Sequence, residues 1–512
     1  MARYMLIGAL GGPNFGDEMM LLAWIDAIIR EDKHAEIFCD GYNLSNVKKV
    51  VGTRANVLKI EESIWAATYK VLNTEVGEVV WNDIQSCFEF LATANWSLEC
   101  LEQLSIKKID QIHIIGGGYL NSLWRNNYII LIMARLLGWQ TGARVVATGL
   151  GLTPYVNKDA AGLLSVLNTF DIVDVRDITS YDLLSSNGLT NVSFSGDDAL
   201  YYFEYDLKKP VYKLEVPSLV ICIQNDLFPG QDIADACVSD EVLSLLERKD
   251  IRHIMLVAAC ETDVQRFSTE RRKVLSNRGF VVKIIKPFEL LKLGFPVSKD
   301  GLVITSRYHP HLFASLDGAR GLAVSSNPYY DIKHSAVRNM GGNWPVVAID
   351  GIQRIHEYVS NLLNIENLSP DIEKKEYFLW KKKQIIGNVT SLPSNNRFFP
   401  LNLVEAVRKY IQYSERRDRV KFARFRENLI WQRSTLSAER ANNASLRIQL
   451  GSLNRNVEHL LAEIRTSKQQ VSLLGRESEN RKIKLERMEN SLSWRLTGPL
   501  RWLSSKIRKQ KH

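Results

Sequence analysis

The residues best equipped for chemistry lie near the middle of the chain, in Gly301-Leu302-Val303-Ile304-Thr305-Ser306-Arg307-Tyr308-His309-Pro310. Arg307 brings a planar guanidinium that forms paired hydrogen bonds to a carboxylate or phosphate, and His309 an imidazole that gives or takes a proton near neutral pH. The β-branched Val303 and Ile304 run into small polar residues, which predicts a buried strand whose carboxyl end opens into a helix at about Pro310. Arg307 and His309 then stand at the carboxyl edge of a strand, where open α/β sheets bind ligands, beside a helix N-terminus that favours an anion. Capture of a small anion is the chemistry expected. The alternative is structural, with both residues closing the element and pairing with nearby carboxylates.

Other groups fall at comparable places. Gly11-Gly12-Pro13-Asn14-Phe15-Gly16-Asp17-Glu18 follows an apolar run and delivers Asn14 and Asp17 to a helix start. Gly116-Gly117-Gly118 also follows a strand-like run, and permits close approach of either a ligand or another backbone. Asp197 and Asp198 read more readily as caps of the helix that follows than as a pair in a cleft. His253, His309, His311 and His334 are scattered, and no metal-ligand cluster is expected.

Two successive strand–helix alternations must position these groups. Strands are predicted at Tyr4 to Leu10, Ala35 to Cys39, Ile109 to Ile115, Ala143 to Thr148 and Ile172 to Val175, so residues 1–205 form one Rossmann-like domain. Residues 206–217, with two prolines and no period, read as a linker. Strands at Leu219 to Ile223, Ile254 to Ala258, Val281 to Ile285, Leu322 to Ser325 and Val346 to Ile349 build a second such domain, residues 218–363, leaving a cleft between the two. Residues 364–421 form a connecting helical and loop segment. Over residues 422–492, alternating steps of three and four land on apolar side chains at 15 of 21 positions, which predicts a coiled coil and hence a homo-oligomer. Asn443 would fix its register.

Composition narrows the class. The 512 residues are 45% hydrophobic and 24% charged, which suits two or three globular domains. Six cysteines without a Cys-x-x-Cys pair point to buried thiols in a reducing compartment, and the N-terminus lacks a signal-peptide cleavage pattern, so a cytoplasmic protein is expected. Of the nine excess positive charges, six lie in residues 494–512 with Trp494 and Trp502, leaving the globular part near neutral and unsuited to nucleic acid. The basic aromatic tail, residues 493–512, suits peripheral contact with the anionic inner face of a membrane.

Taken in order, Asn14-Phe15-Gly16-Asp17-Glu18, Gly116-Gly117-Gly118-Tyr119-Leu120, Thr148-Gly149-Leu150-Gly151, Val175-Arg176-Asp177, Gly196-Asp197-Asp198-Ala199, Ser306-Arg307-Tyr308-His309 and Tyr330-Asp331-Ile332-Lys333 resemble the motif series of the polysaccharide pyruvyl transferases. The resemblance covers roughly residues 5–345. It implies an α/β fold of two Rossmann-like domains like the B-type glycosyltransferases, phosphoenolpyruvate as donor with no separate cofactor, and a bacterial surface glycan or its lipid-linked precursor as acceptor. It makes Arg307 and Arg176 donor-binding residues, with Asn14, Gly16, Gly117, Gly118 and Lys333 around the same cleft. His309 and Asp17 become the candidates for proton transfer. Tyr308 stands where the family commonly has a leucine, and Pro310-His311 where it has a small residue. The C-terminal Ser491 to Leu503 is similar to a segment that ends bacterial glycan-assembly glycosyltransferases. Two other readings fit the text: a nucleotide-sugar glycosyltransferase of similar fold, and a non-catalytic coiled-coil protein of glycan assembly.

Overall fold

The computed structural model describes residues 1–72, 90–92, 94–155, 157–205, 210–225, 230–266, 269–365, 368–392 and 482–484. One compact unit, Met1–Arg417, contains both predicted sheets, and Asp418–His512 form a second unit. The coiled-coil and tail assignments lie outside the described residues, apart from the helical residues 482–484.

The first sheet comprises β1 (Arg3–Ile7), β2 (Glu36–Asp40), β3 (Asn56–Val57), β4 (Gln111–Ile114), β5 (Arg144–Leu150), β6 (Ile172–Val175) and β7 (Val192–Phe194). Its order is β3-β2-β1-β4-β5-β6-β7, with every pairing parallel. Next along the chain come β8 (Val211–Leu214), β9 (Ser218–Cys222), β10 (His253–Val257), β11 (Val281–Ile285), β12 (Phe295–Ser298), β13 (Leu302–Thr305), β14 (Gly321–Ser325) and β15 (Val346–Ala348). The second sheet runs β11-β10-β9-β13-β14-β15, again parallel throughout. Both orders are Rossmann-like: the chain builds outward in one direction from the first strand and then jumps back to its other side. That reversal falls between β1 and β4 in the first sheet and between β9 and β13 in the second. Because neighbouring helices diverge there, each sheet has a crevice at that point.

Parallel strands are covered on both faces, so their sequences are apolar without alternation. β9 and β13 are buried at every residue. One apolar core runs continuously from the first domain to the second, with the Phe15 and Phe313 rings edge to face at 5.6 Å. Part of the predicted linker is itself a strand, since Val211–Leu214 pairs in parallel with β12.

The connecting segment contains the helix Ile372–Thr390, which starts against the second domain and ends on the first. Lys375 Nζ donates to the Leu316 carbonyl at 3.0 Å, while Tyr4 Oη and Gln111 Nε2 donate to the carbonyls of Thr390 and Val389, each at 3.0 Å. Midway along it, Lys382 is fully buried with Nζ 2.9 Å from both Asp174 Oδ2 and Asp198 Oδ1. Desolvation opposes that charge, but the two carboxylates outweigh it and raise the ammonium pKa. Cys39, Cys100, Cys222 and Cys237 are buried and Cys260 is half-buried, while Cys87 lies outside the described residues. Among the described residues no helix is long and apolar enough to cross a membrane.

Candidate functional site

The two crevices face each other, and their loops meet. The backbone N–H of Phe15, just after β1, donates to the Ala259 carbonyl, just after β10, at 2.8 Å. Beside it, a Cβ placed on Gly16 would lie 1.7 Å from His309 Nδ1, so glycine is what lets the first helix, Phe15–Glu31, meet the imidazole of the opposite domain. Gly118 does the same for three partners: a Cβ there would crowd Tyr329 Oη at 2.8 Å, Arg176 Nη2 at 2.9 Å and Lys333 Cε at 3.3 Å. The glycine triplet also admits another backbone at close range, because the Gly151 N–H donates to the Gly117 carbonyl at 2.9 Å.

Between the domains lies a cavity of about 190 Å³. Asn14, Asp17, Gly118, Arg176, Arg307, His309 and Lys333 all line it, with Tyr119, Trp124, Gln224, Tyr308, Tyr329 and Tyr330. Each comes from the carboxyl end of a strand or from the helix after one: Asp17 after β1, Gly118 after β4, Arg176 after β6, Arg307 and His309 after β13, Lys333 after β14. A larger depression of about 780 Å³ between the helices Asp240–Arg248 and Ile355–Asn364 is lined by surface residues of the second domain and lies away from these groups.

The cations have carboxylates behind them. Arg307 is held by Asp263, its Nε 3.1 Å from Oδ2 and its Nη2 2.5 Å from Oδ1, while the backbone N–H groups of Asn225 and Cys260 also donate to that buried carboxylate. Arg176 Nη1 is 3.7 Å from Asp197 Oδ2, and His309 Nε2 is 3.5 Å from Asp197 Oδ1. Burial would raise the Asp197 carboxyl, but His309, Arg176 and the Ala199 N–H together hold it at about 2. Asp197 therefore does cap the turn after it, accepting from Ala199 N at 2.9 Å, and in the same position braces two cleft residues. Asp198, read as its companion cap, instead points down to Lys382, Trp24 Nε1 and Thr148 Oγ1. Asp17 keeps part of its surface toward the cavity. Its carboxyl is raised by burial, which His309, Arg176 and Lys333 oppose without overcoming.

Tyr308, unusual at its position, has a local reason. The Arg176 guanidinium lies 4.6 Å from its ring centroid, a cation–π contact that a leucine could not make. The helix after β13 spans Tyr308–Leu316 with Arg307 as its N-cap, two residues earlier than predicted. Proline is tolerated throughout a first turn, whose N–H groups have no intrahelical partners. His311 and His334 are core residues, with Nδ1 atoms 3.0 Å apart, and burial lowers both, His334 to about 4.

Sequence reasoning missed Asp263, Gln224, Trp124 and Lys382. Asp263 had a signal, since it follows the apolar run of β10 as Arg307 follows that of β13. Lys382 had none. Among the described residues, no group of three or more His, Cys, Asp or Glu side chains is placed to hold a metal ion.

A family model described as polysaccharide pyruvyl transferase matches residues 14–328, from the loop after β1 to the helix that carries Lys333. The chain belongs to the polysaccharide pyruvyl transferase family. Comparison with curated proteins returned no match. Among solved structures, this pyruvyl transferase family member is similar to Staphylococcus aureus MnaA with UDP, at 12% identity and TM-score 0.46 over 77% of this chain and 100% of that one. It is also similar to the Methanocaldococcus jannaschii UDP-GlcNAc 2-epimerase (12% identity, TM-score 0.43, 76% and 100% covered) and to a glycosyltransferase from Rickettsia africae (12%, 0.41, 80% and 98%).

Proposed function

We propose that the protein transfers pyruvate from phosphoenolpyruvate to two hydroxyls of a glycan or its lipid-linked precursor, forming a cyclic ketal. The observation that carries this reading is the convergence of Arg176, Arg307, Lys333 and His309 on one small cavity whose carboxylates, Asp17 apart, stand behind the cations. Two guanidiniums and an ammonium suit a ligand with a carboxylate and a phosphate. The helix N-termini at Phe15 and Tyr308 add partial positive charge.

Chemically, the methylene carbon of the donor takes a proton, and the resulting cationic C2 is attacked by one acceptor hydroxyl. The C2–O bond to phosphate then breaks, and a second hydroxyl attacks C2. Two hydroxyl protons are released, matching the one taken by the methylene carbon and the one that leaves with inorganic phosphate. Asp17, whose carboxyl burial raises, suits the proton donor, and His309, braced by Asp197, suits the acceptor of the hydroxyl proton. Arg176 and Arg307 fix the donor, with Lys333 at its phosphate; Asn14, Gly16, Gly117 and Gly118 keep the walls close.

A nucleotide-sugar transferase would need room for a base, a ribose and a sugar. A cavity of about 190 Å³ is short of the ~300–1,000 Å³ usual for ligands of that size. The test is release of inorganic phosphate from phosphoenolpyruvate with extracted glycan precursors as acceptor. Release of nucleoside diphosphate from a sugar nucleotide instead would sink the proposal.

A further inference from the structure

Trp124 is out of place for a core residue. It is 37% exposed and lines the mouth of the cavity, with its ring edge to face with Tyr329 at 6.3 Å. The turn that presents it, Ser122–Asn127, breaks helical geometry at Trp124 itself (φ −127°, ψ 54°). That turn is nonetheless firmly held. Asn121 Nδ2 donates to the Gly118 carbonyl at 2.8 Å, Asn127 Nδ2 donates to the Tyr119 carbonyl at 2.9 Å, and the Ser122 N–H donates to the Pro154 carbonyl at 2.9 Å. A large apolar ring fixed at a water-facing rim, its turn tied by two hydrogen bonds to Gly118 and Tyr119 and by a third to Pro154, is an arrangement that gains from a ligand covering it.

Size decides which ligand. The cavity takes a small acid but not an acid and a sugar together, so anything that reacts with a donor inside must lie across the mouth. A pyranose ring has an apolar C–H face and a polar hydroxyl edge, and it can cover an indole while directing hydroxyls sideways. Tyr329 continues the surface inward, its hydroxyl donating to the Gly118 carbonyl at 3.2 Å and its ring centroid 4.1 Å from Lys333 Nζ. A sugar seated on Trp124 would therefore have its edge at the wall where Lys333 and Arg176 stand.

We infer that Trp124, backed by Tyr329, is the acceptor subsite, and that its ligand is a pyranose ring stacked on the indole. The inference rests on the proposed transfer to a glycan. Two measurements on the full chain separate it from that reading. Saturation-transfer NMR with methyl glycosides of hexoses and N-acetylhexosamines reads the sugar site, and calorimetry with phosphoenolpyruvate reads the donor site. Wild type and Trp124→Phe should bind at least one glycoside. Trp124→Ala should bind it about tenfold more weakly or not at all. Donor affinity should stay within about twofold in all three proteins. If the wild type binds no glycoside, or Trp124→Ala binds one as the wild type does, the subsite is wrong. A donor affinity that falls along with glycoside binding also overturns it, since Trp124 would then be shaping the cavity. Absence of phosphoenolpyruvate binding in the wild type overturns the proposed function, and the glycoside result still decides the subsite.

Discussion

Arg307 illustrates how a charged residue of a proposed binding site is also a structural one. Its fork is committed to Asp263 on one edge, and that carboxylate is fully buried. Replacing Arg307 with alanine should abolish phosphoenolpyruvate binding. It should also destabilise the fold by up to about 3–5 kcal/mol, softened by the two backbone N–H groups that Asp263 retains. Combining Arg307→Ala with Asp263→Asn should recover part of the stability, since the amide keeps one acceptor for the two backbone N–H groups, and none of the donor binding, a non-additivity that denaturant titration and calorimetry would read directly. Full additivity in stability would contradict the pairing. Glu18, next to the cleft loop, gives a pH signature. Its side chain accepts from the Gly11 N–H at 2.7 Å, and burial raises its carboxyl to about 8. Between pH 4.5 and about 8 the unfolded chain has lost this proton while the folded one keeps it. Stability therefore falls as pH rises through that window. Glu18→Gln keeps an acceptor for Gly11 without an ionisable proton. It should flatten the decline in melting temperature over that range while matching wild type near pH 5.

At the scale of elements, the helix Ile372–Thr390 matters more than its unremarkable sequence suggests. Lys382 is placed between Asp174 and Asp198, and Asp198 in turn accepts from the Gly116 N–H at 3.3 Å and from Thr148 Oγ1 at 2.7 Å. The ammonium thereby stabilises the floor beneath the glycine loop. Lys382→Met would leave two carboxylates facing each other without a cation and should cost about 3–5 kcal/mol by equilibrium unfolding. Adding Asp174→Asn and Asp198→Asn should return part of it. A Lys382→Met protein of wild-type stability would show the contact to be incidental.

For the whole molecule, the expectation to test is association. The heptad spacing over residues 422–492 predicts self-association through that segment, so the full chain should scatter light as an oligomer at micromolar concentration. Leu446→Asp with Leu453→Asp, both at seam positions, should lower the mass to that of a smaller species without changing phosphoenolpyruvate binding. A wild type that is monomeric would refute the heptad reading.

What the sequence determined by itself was local and periodic: the strands of the second sheet, five of the seven in the first (the short β3 and β7 went unread), their carboxyl-edge loops, and the family membership that those loops carry. β13 and its polar exit were readable because a parallel strand buried on both faces has a continuous apolar run that ends where the chain emerges. The tertiary structure alone decided which of these exits share a cavity. It alone showed that Asp197 serves as a cap and a brace together, that Tyr308 stacks with Arg176, and that Asp263 and Lys382 belong to the polar framework at all. The Asp263 and Lys382 pairings join side chains 44 to 208 positions apart. A single Asp or Lys has no period, and the low-dielectric interior that makes its partner compulsory exists only once the sheets have closed over it.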